Sequence, residues 1–269
     1  MYTLLENYAS LLFRNWYLVK ELTRRDIAGR YRGSTMGLFW SLVNPVMMLV
    51  VYTFFFGFVF KARWGGVDET KGEFALILFS GLIALNFFSE CVNRAPSLVV
   101  VNSNYVKKVV FPVEILVLVT AGSAMFHALI SIAAWCVFAI FIFGKIPLTI
   151  FLLPFVLAPL AMLTIGIAWI VSALGVYLRD IGQFVSIVLA IIPFSAPVFF
   201  PITALPQEFQ HFVYLNPLTS SIEQMRKIMI FGVLPDMWGW AASLLSALVV
   251  SFMGFVFFIK IKKGFADVL

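Results

Sequence analysis

Six stretches free of Asp, Glu, Lys and Arg dominate this chain: residues 36–60, 74–89, 115–144, 146–178, 181–207 and 237–259. A helix needs about 20 mostly apolar residues to cross the roughly 30 Å hydrocarbon core of a bilayer, and five of the stretches reach that length unaided. The second reaches it by including its polar end near Asn93. The runs are unbroken, without the alternation of barrel strands, and a helix satisfies its own backbone in lipid. The pattern therefore predicts an all-α integral membrane protein with six transmembrane helices.

Ahead of the first run the pattern changes. Leu4, Leu5, Tyr8, Leu11, Leu12, Trp16, Val19, Leu22, Ile27 and Tyr31 recur close to helical spacing, with Arg14, Lys20, Glu21, Arg24 and Arg25 between them. This predicts an amphipathic helix lying in the membrane interface over residues 1–35, with Trp16 and Tyr17 at headgroup level and a turn at Gly33-Ser34. The alternative, a solvated basic tail, has no need of the apolar stripe. Residues 36–269 form the transmembrane domain.

Within that domain several features interrupt the apolar pattern. Asn44-Pro45 sits early in the first run, where proline removes a helical hydrogen bond and favours a bend. Trp40, Asn44, Met48, Tyr52 and Phe55 follow three-and-four spacing and either line a path or pack against neighbouring helices. Glu90 and Arg94, four residues apart, are expected to pair at the inner surface. Residues 102–112 suit either a small helix against a cytoplasmic partner or a connector on the membrane surface. Phe143 to Pro147 predicts a tight turn, and Tyr177 to Gly182 a very short one carrying adjacent opposite charges. Pro193, Pro197 and Pro201 break the fifth run. The outer segment 204–237 is too apolar for a plain loop and predicts two re-entrant half-helices, since irregular backbone at depth needs shielding by protein or a cavity. Trp238 and Trp240 mark the outer start of the last span, and Lys260 to Lys263 its inner end.

Composition agrees: 62% of residues are apolar and 12% charged. The net charge of +6 changes the picture only through its placement. Thirteen of the 19 Lys and Arg fall on the side that holds both termini, and the six on the other side are matched by six acids. This is the positive-inside asymmetry of a membrane protein with both termini cytoplasmic, and it does not indicate nucleic acid. Cys91 and Cys136 lie at the end of one span and within another, unlike a disulfide or metal pair. The N-terminus lacks the form of a cleavable signal sequence.

The chemistry is marked by absences. There is no phosphate-binding Gly-x-x-x-x-Gly-Lys-Ser/Thr loop. No charged residue lies within the six runs, which argues against direct proton or sodium coupling. His127 and His211 are far apart and lack a neighbouring acid in sequence, so neither a catalytic residue nor a metal site is expected; His127 reads as a hydrogen-bonded packing residue or a proton relay. The chain resembles half of a machine powered from elsewhere.

Five ordered motifs carry a specific resemblance: Arg30 to Pro45, Asn104 to Pro112, Arg179-Asp180-Ile181, Ala196-Pro197-Val198-Phe199 and Leu215-Asn216-Pro217-Leu218. Together they resemble the membrane subunit of type 2 ABC exporters, in particular the O-antigen, capsule and teichoic acid export permeases, with Met36 where that family usually has Leu. The resemblance implies a homodimer with two separate ATPase subunits, which would bind ATP and magnesium; no cofactor is expected in this chain. It implies ATPase coupling through Asn104, Tyr105, Lys107, Lys108, Arg179 and Asp180, within the 102–111 stretch and the 179–180 turn. It implies a conduit lined by spans one and five, giving Trp40, Asn44, Tyr52 and Phe55 as substrate-path residues, and an outer gate at Asn216 and Pro217. The cargo implied is a lipid-linked polysaccharide in the cytoplasmic membrane of a bacterium. Arg24, Arg25, Arg30 and Arg32 suit either its pyrophosphate or ordinary membrane-lipid headgroups. The same architecture carrying a drug or small lipid, and a membrane enzyme acting on lipid-linked sugars, are the alternatives.

Overall fold

The computed structural model describes residues 2–59, 64, 71–106 and 111–269, so Lys107 and Lys108 lie outside the described residues. Among these residues all regular structure is helical: α1 (Tyr2–Arg30), α2 (Trp40–Tyr52), α3 (Lys71–Val101), α4 (Ser103–Val106), α5 (Ile115–Phe143), α6 (Leu153–Tyr177), α7 (Ile181–Ser195), α8 (Gln207–Leu215), α9 (Pro217–Arg226), α10 (Met237–Ile261) and α11 (Phe265–Val268). Among the described residues five segments are long and apolar enough to cross a membrane: Gly37–Phe56, Gly72–Val101, Ile115–Phe143, Leu148–Tyr177 and Met237–Val268. The fifth predicted run differs. Its helix, α7, stops at Ser195 after 15 residues, because Pro197 lacks the amide hydrogen the next turn would use and biases Ala196 before it to extended backbone.

The bundle is organised around α3, whose side chains are mostly enclosed by α5, α6, α7 and α9. Between α6 and α10 the backbones themselves meet: a Cβ on Gly166 would fall 2.6 Å from the Cα of Ser251, and one on Gly254 would run into the Gly166 carbonyl. Small residues at such crossings are how helices associate in lipid, where burial of apolar side chains drives little. Three buried or half-buried indoles also bind across helices. Trp135 donates to the Leu76 carbonyl at 3.1 Å, Trp169 to that of Glu114 at 3.0 Å, and Trp240 to that of Phe155 at 2.9 Å. Each satisfies a donor that would be costly to leave bare in a dry interior. Gly144, at φ 70, closes α5 by donating to Ile140, which makes the predicted tight turn.

The N-terminal helix lies across the bundle. The Tyr8 hydroxyl donates to Ser251 at 2.9 Å and its ring packs against Trp169; Thr23 lies against Gly122; Asp26 binds Arg94. These partners sit about two to three turns from the ends of α10, α6, α5 and α3 that cluster together, so α1 runs transversely at nearly one level. At that end Lys262 pairs with Glu114 at 2.6 Å, and the Tyr177 hydroxyl reaches the Ile261 carbonyl.

Candidate functional site

At the end of α1 the chain turns through Gly33 and Gly37, both at positive φ, and re-enters the bundle as α2. This turn places the end of α1 and one face of α2 around a cavity of about 460 Å³. Ser41, Asn44, Pro45, Met48 and Tyr52 line it from α2, and Arg30, Tyr31, Glu90 and His127 face them.

The last four form a connected polar cluster. Arg30 contacts the Glu90 carboxylate at 2.6 Å, and His127 Nδ1 lies 3.0 and 3.1 Å from its two oxygens. The Tyr31 hydroxyl lies 3.0 Å from His127 Nε2. Nδ1, against both carboxylate oxygens, carries a proton and donates to Glu90; Nε2 pairs with the Tyr31 hydroxyl, and an Arg30 terminal nitrogen lies 3.2 Å from Nδ1. His127, without an acid nearby in sequence, therefore has one in space. The expected Glu90–Arg94 pair does not form. Because α1 lies against α3, Glu90 takes Arg30, and Arg94 donates both ends of its fork to Asp26 at 2.7 and 2.9 Å. A two-bond guanidinium–carboxylate contact outcompetes a single-helix pair of four-residue spacing.

The sequence-predicted path residues divide. Asn44 and Tyr52 share the cavity with Met48, whereas Trp40 and Phe55 point elsewhere, 41% and 46% exposed. The cause at Phe55 is a π-helix over Thr53–Val59, whose wider turn shifts the register by about one residue. Phe56 is brought inward instead, stacked on Phe74 and Phe199 with centroids 5.7 and 6.1 Å away.

Of the four arginines assigned to headgroups, Arg30 is committed to Glu90, and Arg24, Arg25 and Arg32 are exposed. Arg25 borders a second cavity of about 460 Å³, which Asp26, Arg30, Arg94, Asn102 and Tyr105 also line. Burial raises the Asp26 carboxyl pKa, but its bonds to Arg94 and the charge of Arg30 outweigh this and hold it below the ordinary value. A carboxylate with a depressed folded pKa stabilises the fold above its unfolded pKa and loses that contribution as pH falls through the folded value. We therefore expect α1 to stay docked at neutral pH and to loosen only below about pH 4. Protease cleavage within α1 in detergent should rise there, and Asp26→Asn should show the faster cleavage already at neutral pH.

A second prediction concerns Glu90→Gln. With Arg30 and Glu90 one-third and one-fifth exposed, the loss lies between that of a surface pair and a buried one, about 1–3 kcal/mol. A double-mutant cycle with Arg30→Gln, read by thermal unfolding in detergent, should return most of that as coupling. Coupling near zero would show that the pair does not hold α1.

Among the coupling residues, Asn104, Arg179 and Asp180 are exposed, and Tyr105 stacks on Phe111 at 4.3 Å. The Asp180 carboxylate caps no backbone amide of α7. At the opposite end Asn216 and Pro217 start α9: the Asn216 side chain accepts from Leu218 and donates to Ser195, with proline in the first helical turn. A third cavity, about 490 Å³, opens there between α9 and α10. Two features escaped the sequence reading. Glu90, just past the second run, and His127, inside the third, had nothing in sequence to join them, and Arg226, counted as an outer-surface charge, is 1% exposed.

A family model described as ABC-2 type transporter matches residues 17–230. The chain belongs to the ABC-2 type transporter family. Its relatives include the O-antigen export system permease protein of Klebsiella pneumoniae, 26% identical over 255 residues, covering 94% of this chain and 95% of the relative. The protein of that name from Myxococcus xanthus is 26% identical, with 81% and 82% covered. The polysialic acid transport protein of Escherichia coli is 23% identical, with 81% and 83% covered. An ABC-2 membrane subunit is a multi-pass transport component, and the membrane-enzyme alternative is set aside. The matched region takes in the transverse helix from Tyr17, the α2 face, the polar cluster and α9, so the whole candidate site lies within the ABC-2 portion.

Proposed function

We propose that this chain is the membrane subunit of an ATP-driven exporter of lipid-linked, O-antigen-like polysaccharide in the cytoplasmic membrane of a bacterium. The observation that carries this is the likeness to export proteins for O-antigen and polysialic acid over four-fifths or more of the chain. Two copies pair and two separate ATPase subunits, holding ATP and magnesium, dock on the cytoplasmic side. Both termini lie on that side, with α1 in the interface. The chain crosses six times: α7 and the stretch after it form the short fifth crossing, and α8 and α9 fold back from the outer surface as the gate region.

The exposed apolar side chains of α2, of the π-helix that follows it and of α7, among them Leu42, Met47, Phe54, Phe184, Ile187 and Phe194, suit a pairing in which spans one and five enclose the path. Aromatic faces let a long sugar chain slide because they offer apolar contact without ionic grip. Asn44 and Tyr52 serve that path. Exposed Arg24, Arg25 and Arg32 draw the anionic end of the lipid.

The test is purification of the tagged chain from native membranes in mild detergent, together with depletion in cells. A co-purifying ATPase in equal amount and polymer accumulating in the cytoplasm are the expected results. An ATPase partner without polymer accumulation would point to another cargo on the same architecture, and the absence of any ATPase would overturn the transporter reading of this chain.

A further inference from the structure

Among the described residues Arg226 is the largest enclosed charged side chain, 1% exposed, at the end of α9. Its guanidinium joins four parts of the chain. One terminal nitrogen donates to Glu223 one turn back, and the other donates to the carbonyl of Pro197 at 2.9 Å. Its plane lies 4.1 Å from the ring centre of Trp64, in the segment between α2 and α3. Gly81 of α3 backs it closely: a Cβ there would sit 3.0 Å from a terminal nitrogen of the guanidinium, tighter than ordinary contact.

Pro197 is where α7 has broken. Ala196 is extended, at φ −112 and ψ 154, and the proline carbonyl lies beyond the helix ladder. A carbonyl freed at such a break needs a donor when water is excluded, and a guanidinium supplies a strong, charge-assisted one. Asn216 adds a second tie, donating to Ser195, but at 3.2 Å and exposed to solvent. The buried contact is the one that fixes the end of α7 against α9. Among the described residues the Nε–H of Arg226 has no acceptor, so the group is held by this geometry and not by full satisfaction of its donors.

We propose that Arg226 is the positioning residue that keeps the outer end of the conduit closed at rest, by tying α9 to the broken end of α7. This rests on the export reading, in which α7 borders the path and the 204–237 segment gates it. Opening requires the Pro197 carbonyl to leave the guanidinium, and Glu223 and Trp64 keep the released cation stabilised on the α9 side. Lysine keeps the charge but lacks the planar fork that reaches Glu223 and Pro197 together.

The experiment uses the permease with its ATPase subunits in liposomes, measuring efflux of a trapped small dye without ATP. Arg226→Gln should co-purify with the ATPase at the ratio of the unsubstituted chain and leak about tenfold faster, a shift of roughly one decade in the open population, with Arg226→Lys between. An assembled Arg226→Gln complex that leaks no faster than the unsubstituted one overturns the proposal. Where Arg226→Gln fails to assemble, a Val198→Cys chain with Arg226 intact decides, because Val198 is fully buried beside the tie. A membrane-impermeant maleimide should label it during ATP turnover and not at rest, over the background of the native cysteines. Equal labelling in both states, or none in either, overturns the latch. Failure of the unsubstituted chain to bind any ATPase overturns the export reading instead.

Discussion

A Gly254→Leu chain is expected to be lost from the membrane, because α6 and α10 can no longer meet. A Cβ at residue 254 would contact the carbonyl oxygen, carbonyl carbon and Cα of Gly166, all backbone atoms that cannot rotate aside. The helices would have to part, and the buried side chains of Ala247, Phe255 and Phe258 on α10 would lose their seat. Overpacking a core costs about 1–3 kcal/mol where side chains can adjust, and a backbone collision lies above that range. Against a total stability of about 5–15 kcal/mol, such a loss together with lost packing on α10 removes most of the protein. Gly29→Ala is the control. It is the penultimate residue of α1, with nothing within 4 Å of the added carbon, so the replacement should be neutral or stabilise by less than the roughly 1 kcal/mol of a helix-interior glycine. The two variants are compared by membrane yield and by the fraction surviving size-exclusion chromatography in detergent. A Gly254→Leu protein of normal yield and thermal stability would refute this account of the α6–α10 crossing.

Residue types and spacing were enough to locate five of the spans, because unbroken apolar runs of that length have one stable form in lipid. The turn at Gly144 and the break after Ser195 were legible for the same local reason: glycine and proline act on the residues beside them. What could not be read is set by contacts distant in sequence. Glu90 was four residues from Arg94 on paper, yet α1 brings Arg30 and Asp26, from about 60 residues away, to claim both. His127 gained its acid in the same way. Phe55 leaves the face shared by Asn44 and Tyr52 where a π-helix changes the count of residues per turn, and no composition signal in Thr-Phe-Phe-Phe-Gly-Phe-Val announces one. Arg226 looked like a surface charge since its partners, Pro197 and Trp64, come from two other segments.

The largest functional effect is expected from reversing the charges at the turn between α6 and α7. Only residues 178–180 separate the two helices, and the amides of Gln183 and Phe184 already bond to the Asp180 carbonyl. There is little slack in so short a link, so a force applied at Arg179 or Asp180 is delivered to the start of α7. Both side chains are exposed, and the Asp180 carboxylate is free of any capping bond, so neither is occupied in holding the fold. Arg179→Glu and Asp180→Arg should therefore insert and purify like the unsubstituted chain. With an ATPase docked there, each reversal sets like charges together, at a cost of several kcal/mol, enough to lower productive engagement by 100-fold or more. Export should fall to background while ATP hydrolysis by the remaining complex no longer tracks the presence of cargo. Cells carrying each variant would be scored for surface polymer, and purified complexes for ATP turnover and subunit ratio. Charge reversal on the ATPase side should restore export to one variant and not the other, which separates a specific contact from general damage. Normal export by both single variants, with the ATPase bound in equal amount, would remove this turn from the coupling path and leave the exposed Asn104 region as the remaining point of drive.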